Sequence, residues 1–214
     1  VRLLVRPARE VQLKQQLRQR HDVRQSQILQ AVGKLITTKG MDSVTMHDIA
    51  AEVGVSEAAL YRHFTSKRAI LLLLLDRWEE TLLSTVRGEQ FSTIPVLENL
   101  ERAFWAQLGD VEDHKALSFI IMIEAIALEG INGLSARVAA ILTNYLDAIK
   151  EILQRGVHEG VIREDINVEA AATTYFGMIQ STATLWALND YNSPLAEQGV
   201  MMWEIFRRGI SCVD

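Results

Sequence analysis

The chain has 214 residues, 49% of them hydrophobic and 23% charged, which suits a small folded domain plus a larger one and excludes a disordered chain. Its net charge of −5 hides an asymmetry: residues 1–70 hold 12 Lys/Arg against 6 Asp/Glu, and residues 71–214 hold 10 against 21, so a basic end on an acidic body faces any polyanion one way round. The single Cys212 rules out an intrachain disulfide, and the longest strongly apolar run, Ile70 to Leu75, is far short of the ~18 residues of a membrane span.

Helical periodicity runs through nearly every segment and strand alternation is sustained in none, which predicts an all-α fold. Residues 1–22 are basic and read either as an arm for DNA phosphates or a minor groove, or as an extension of the first helix. Helix one is expected over residues 24–38, with Ile28, Ala31, Val32, Leu35 and Ile36 inward and Gly40 ending it. Thr45 then caps a short helix, with Asp48 three residues on in a capping-box spacing, and Ile49, Ala50 and Val53 form its apolar stripe. Gly54 stops that helix, and Ser56 caps the next, whose core face is Leu60 and Phe64. Two short helices around a glycine turn make a helix-turn-helix.

Ser66 caps a long fourth helix over residues 67–86, apolar on all sides at its start and so expected to connect two domains. Helix five is predicted over 94–108, a link at Gly109–Asp113, helix six over 114–128, and helix seven over 134–154. The stretch GVHEGVIRED, residues 156–165, reads as a loop because of its two glycines. Asn167 caps helix eight, over 168–188, and Ser193-Pro194 opens helix nine, which ends near residue 210. These last two carry apolar residues on more than one face. Tyr175, Phe176, Ile179, Met202, Trp203 and Phe206 are therefore expected in a four-helix interface across the twofold axis of a homodimer.

The stretch from Gly54 to Lys67, GVSEAALYRHFTSK, resembles the signature of the TetR family of bacterial repressors, and Ile28-Leu29, Ala31, Leu35, Gly40, Thr45 and Ile49-Ala50 fall where that family places apolar, glycine and cap residues. The resemblance is specific over about residues 24–72. Many members carry Gly-Thr where this chain has Ala58-Ala59, so the base contacts do not transfer directly. The resemblance implies a three-helix DNA-binding domain (residues 23–67) joined by the fourth helix to a helical effector-binding and dimerisation domain (68–214). It also implies phosphate contacts by Thr45, Tyr61, His63 and Lys67, and an effector pocket among helices four to seven.

The reading helix presents Ser56, Glu57, Ala58 and Arg62: slim residues at the leading end, polar ones behind. Arg62 can grip guanine at O6 and N7, Ala58 can pack a thymine methyl, and Glu57 can accept from cytosine N4. In the body, Trp78, Phe104, Trp105 and Phe119 are candidate pocket residues, with Met122, Glu124 and Trp186. Glu124 interrupts an apolar run and needs a cationic partner, either Arg102 or a ligand.

No nucleophile–base pair, phosphate loop or metal-ligand spacing is present, so neither enzymatic chemistry nor a metal or cofactor is expected. The expected function is a homodimeric, sequence-specific repressor, cytoplasmic and nucleoid-associated, that leaves a near-palindromic double-stranded operator when a small-molecule effector binds. The alternative is a nucleoid-occlusion-type DNA-binding protein acting through a cell-division partner without an effector, because VSEAALYRHF resembles the reading helix of those family members.

Overall fold

The computed structural model describes residues 6–87, 93–114, 122 and 133–212, with side chains from residue 23 onward. Among the described residues there are eight α-helices and no strand; the one extended pairing is an isolated antiparallel bridge between Ile162 and Ser211. The chain divides into two compact units, Val1–Leu71 and Leu72–Asp214.

The first unit is built by α1 (Arg6–Lys39), α2 (Met46–Val53), α3 (Glu57–Tyr61) and the first turn of α4 (Lys67–Ser84). Residues 6–22 extend α1. Good helix formers fill this stretch, and its Pro7 lies in the first turn, where a missing N–H costs nothing. Ile28, Val32 and Ile36 of α1 are buried with Met41, Ile49, Leu60, Phe64 and Ile70, so the inward residues of four helices form one core.

The second unit holds the rest of α4 with α5 (Val96–Asp113), α6 (Leu134–His158), α7 (Val168–Leu188) and α8 (Leu195–Ile210). Its centre is aromatic. Phe104 stacks on Trp203 at a centroid distance of 5.7 Å, and Tyr175 meets Phe206 edge-on at 5.5 Å. Both central tyrosines satisfy their hydroxyls: Tyr175 donates to the Leu100 carbonyl and Tyr145 to Gln107 Oε1, each at 2.8 Å. Gln107 in turn donates to Thr85 Oγ1 at 2.9 Å. Burial pushes both phenols well above the usual tyrosine range, so they stay protonated donors.

Two boundaries differ from the sequence reading. Gly109 does not break a helix; α5 continues through it to Asp113. Gly156 lies inside α6, which runs on to His158. A Cβ there would come within 2.6 Å of Ile162 Cδ1 and 2.8 Å of Val96 Cγ1, so this glycine permits a close approach, and the chain turns instead at Gly160, φ +70°. The predicted sixth helix lies outside the described residues apart from the buried Met122.

The apolar face assigned to a partner also changes. Tyr175, Ile179, Trp203 and Phe206 are all buried within the unit, and Phe176 and Met202 are half-buried against the same core. An apolar pattern on several faces cannot say which face a chain keeps for itself. The exposed apolar residues of α7 and α8 are Leu185, Leu188, Val200, Met201 and Ile205, each more than half exposed.

Replacing Tyr145 with Phe removes one donor and leaves the Gln107 carbonyl buried without it. Urea unfolding is expected to show a loss of ~1–3 kcal/mol. A Gln107→Leu/Tyr145→Phe pair is expected to lose less than the sum of the single changes, because neither partner is then left stranded.

Candidate nucleic-acid interface

α2 has eight residues and α3 five, both too short to hold helical shape unaided, so their ends carry the geometry. At the start of α2, Thr45 Oγ1 accepts from the Asp48 N–H at 3.1 Å while Asp48 Oδ2 accepts from the Thr45 N–H at 3.0 Å: the capping box is complete. Lys39 reaches the same carboxylate at 2.8 Å. This ammonium, and then the Thr45 hydroxyl, hold Asp48 far below the usual carboxylate range. At the other end Gly54 adopts φ +73°, and the Val55 N–H reaches back to the Ala50 carbonyl at 2.9 Å, closing a left-handed cap. Ser56 Oγ then caps α3 by accepting from the Ala59 N–H at 3.2 Å.

With Leu60 and Phe64 buried, α3 shows its other face to solvent: Glu57, Ala58, Tyr61 and Arg62 are exposed, and His63 is half-buried. Arg62 makes no ion pair among the described residues, whereas Lys34 is engaged with Glu52 at 2.6 Å and Lys39 with Asp48. The side chains expected to meet bases therefore share one exposed face. Sequence reasoning missed His47. Its ring, on the first turn of α2, lies with Nδ1 2.8 Å from Glu57 Oε1. Ten residues separate the pair, and only the folded turn brings them together.

Two of the expected phosphate contacts are differently placed. The hydroxyl and amide of Thr45 are both spent on Asp48, so it acts first as a cap. Lys67 is not a free ammonium. Its three N–H groups donate to the carbonyls of Met41, Asp42 and Val44 at 2.9, 2.9 and 2.8 Å, which ties the α1–α2 turn to the start of α4. A lysine at a helix N-terminus opposes the macrodipole, and these carbonyls are what offset that cost.

In the second unit, α4, α5 and α7 enclose a cavity of about 30 Å³, room for very few waters. Trp78, Thr81 and Leu82 line it from α4, Gln107, Asp110 and Val111 from α5, and Phe176 and Ile179 from α7. Burial raises the Asp110 carboxyl above its usual range, partly countered by His114 at 3.2 Å.

Of the expected pocket residues Trp78 is on this wall. Phe104 belongs to the aromatic core, Trp105 packs over Gly199, and Trp186 donates to the Ser193 carbonyl at 2.7 Å. Phe119 and Glu124 lie outside the described residues, and Arg102 pairs with Glu98. Of the lining residues that sequence reasoning missed, Asp110 and Val111 follow from extending α5 through Gly109, whereas Gln107 already lies in the helix predicted over 94–108. Polar side chains at helical spacing on a core face were the available signal.

Lys67→Met would strand three carbonyls of the α1–α2 turn. The expected result is a lower melting temperature for the first unit, by at least ~2 kcal/mol of stability, in circular dichroism or hydrogen exchange. An unchanged melt with a salt dependence of DNA binding shallower by about one unit would restore the phosphate-contact reading.

Comparison with known proteins places both parts of the chain. Residues 28–74 match the family described as bacterial regulatory proteins, tetR family, and residues 80–209 match the YsiA-like protein, C-terminal region. The chain is 26% identical over 192 residues to the fatty acid metabolism regulator protein of Bacillus subtilis, covering 86% of this chain and 94% of that one. It is 32% identical over 138 residues to the nucleoid occlusion factor SlmA of Alteromonas mediterranea, covering 64% and 70%. The crystal structure of the transcriptional regulator FadR from Bacillus subtilis in complex with stearoyl-CoA has the same fold, with a TM-score of 0.75, 24% identity, and coverage of 86% of this chain and 98% of that one. The match across both units shows that this chain belongs to the TetR family of bacterial regulatory proteins.

Proposed function

We propose that the chain is a homodimeric, sequence-specific repressor that leaves its operator when a small molecule occupies the second unit. The observation that carries the DNA-binding part is the capped α2–turn–α3 pair, whose exposed face sets Glu57, Ala58, Tyr61 and Arg62 side by side on the basic end of the chain. A helix with slim residues leading and Arg behind is suited to a major groove, Arg62 reading guanine and Tyr61 and His63 holding the backbone.

The effector part rests on the cavity walled by Trp78, Gln107, Asp110 and Phe176, and on the likeness to the Bacillus subtilis regulator, whose structure holds stearoyl-CoA. α4 supplies Trp78 to that cavity and Lys67 to the clamp on the α1–α2 turn, which makes it the element through which occupancy reaches the reading head. A ligand can shift this equilibrium only by its differential affinity for the two states. The second reading, DNA binding through a cell-division partner without an effector, is favoured by the SlmA likeness.

Selection of bound fragments from genomic DNA is expected to return a near-palindrome whose half-sites lie about 34–36 Å apart or at a multiple of one turn. With that operator labelled, stearoyl-CoA is the first probe for release followed by fluorescence anisotropy. Release supports the effector reading. Unchanged affinity at saturating acyl-CoA contradicts an acyl-CoA effector. An asymmetric single half-site would contradict the dimeric reading.

Dimerisation is proposed to use the exposed apolar residues of α7 and α8. Leu188→Glu with Ile205→Glu is expected to give monomers in light scattering and to lose operator affinity together. Intact dimers after both changes would place the interface elsewhere.

A further inference from the structure

His47 and Glu57 join the two helices of the motif through their side chains. His47 sits on the first turn of α2, Glu57 is the first residue of α3, and Nδ1 lies 2.8 Å from Oε1. An ionised carboxylate only accepts, so Nδ1 carries the proton and His47 is the donor. Both side chains remain open to solvent, the imidazole 77% and the carboxylate 49% exposed. Exposed pairs of this kind add little to stability, so stability does not account for the contact.

We infer that His47 is the positioning residue for Glu57, and that Glu57, so held, is a specificity-determining group that selects a base presenting an amine in the major groove. The inference rests on the reading of α3 as the DNA-facing helix. A glutamate beside DNA is repelled by the phosphates and has three side-chain torsions through which to swing away. The His47 N–H holds one carboxylate oxygen, leaving Oε2 to accept. The major-groove amines are cytosine N4 and adenine N6, and an acceptor-only carboxylate discriminates against guanine O6 and thymine O4. Other charges nearby on α2 are already committed: Asp48 to Thr45 and Lys39, and Glu52 to Lys34. Neither competes for the imidazole. The arrangement couples the two helices of the motif: α2 aims a side chain that α3 delivers.

The test measures full-length protein against its selected operator with every base pair changed in turn, for wild type, Glu57→Ala, His47→Ala and His47→Gln. Glu57→Ala is expected to relax preference at one base pair per half-site by about ten-fold or more. His47→Ala should relax that same base pair and no other. The double variant His47→Ala/Glu57→Ala, measured beside them, should lose nothing further there. His47→Gln, whose amide N–H can still reach the carboxylate, should restore most of the preference. Thermal melts should be unchanged throughout, since both side chains are exposed.

An even loss of affinity across all sequences in His47→Ala would make His47 a phosphate contact and overturn the inference. So would wild-type preference in His47→Ala, or relaxation at a base pair other than that of Glu57. A wild-type protein that selects no sequence would overturn the DNA-reading function itself, a result separable from these.

Discussion

Helices of eight and five residues do not persist in water on their own, because a helix must fix a full turn before its hydrogen bonds begin to accumulate. The reading head depends on solving that problem at every exposed end. Thr45 and Asp48 close the start of α2, Gly54 and Val55 close its end, and Ser56 opens α3. Lys67 satisfies three carbonyls in the turn that precedes them all. Each device occupies polar groups that would otherwise be open to other partners. The side chains left over, on the outward face of α3, are the ones free to read. Structural and recognition residues are thus divided by which backbone groups need partners.

The second unit meets a different constraint. Its helices are long enough to form, and what must be arranged is how large aromatic side chains with polar tips fit in one core. Tyr145 and Tyr175 are buried completely, and each finds an acceptor 2.8 Å away. One acceptor is a backbone carbonyl; the other is Gln107, whose amide continues to Thr85. Gln107 also lines the small cavity beside Trp78.

The head was legible because its determinants are local. A threonine three residues before an aspartate, a glycine at the turn and a serine before the next helix state the caps directly, and Leu60 with Phe64 states the core face. The role of Lys67 was not legible: its carbonyl partners lie 23 to 26 residues earlier, and no spacing rule joins them. His47 and Glu57 meet for the same non-local reason. Glycine misled in the body, where Gly109 and Gly156 resemble helix stops. At Gly156 the glycine answers to Ile162 and Val96, which only packing brings near. Likewise Tyr175, Trp203 and Phe206 are apolar in pattern whether a core or a partner receives them. The structure assigns them to the core and leaves Leu188 and Ile205 outside.

For α3 to read sequence, its outward face must meet base edges. Site-directed crosslinking tests it most directly, since Cys212 is the chain's single cysteine and can be changed to Ser without touching the head. A photoreactive group on Ala58→Cys in that background should attach to a base in the major groove of the selected operator. The same group on Thr173→Cys, exposed on α7, should not. Attachment from Thr173→Cys with none from Ala58→Cys would contradict the account.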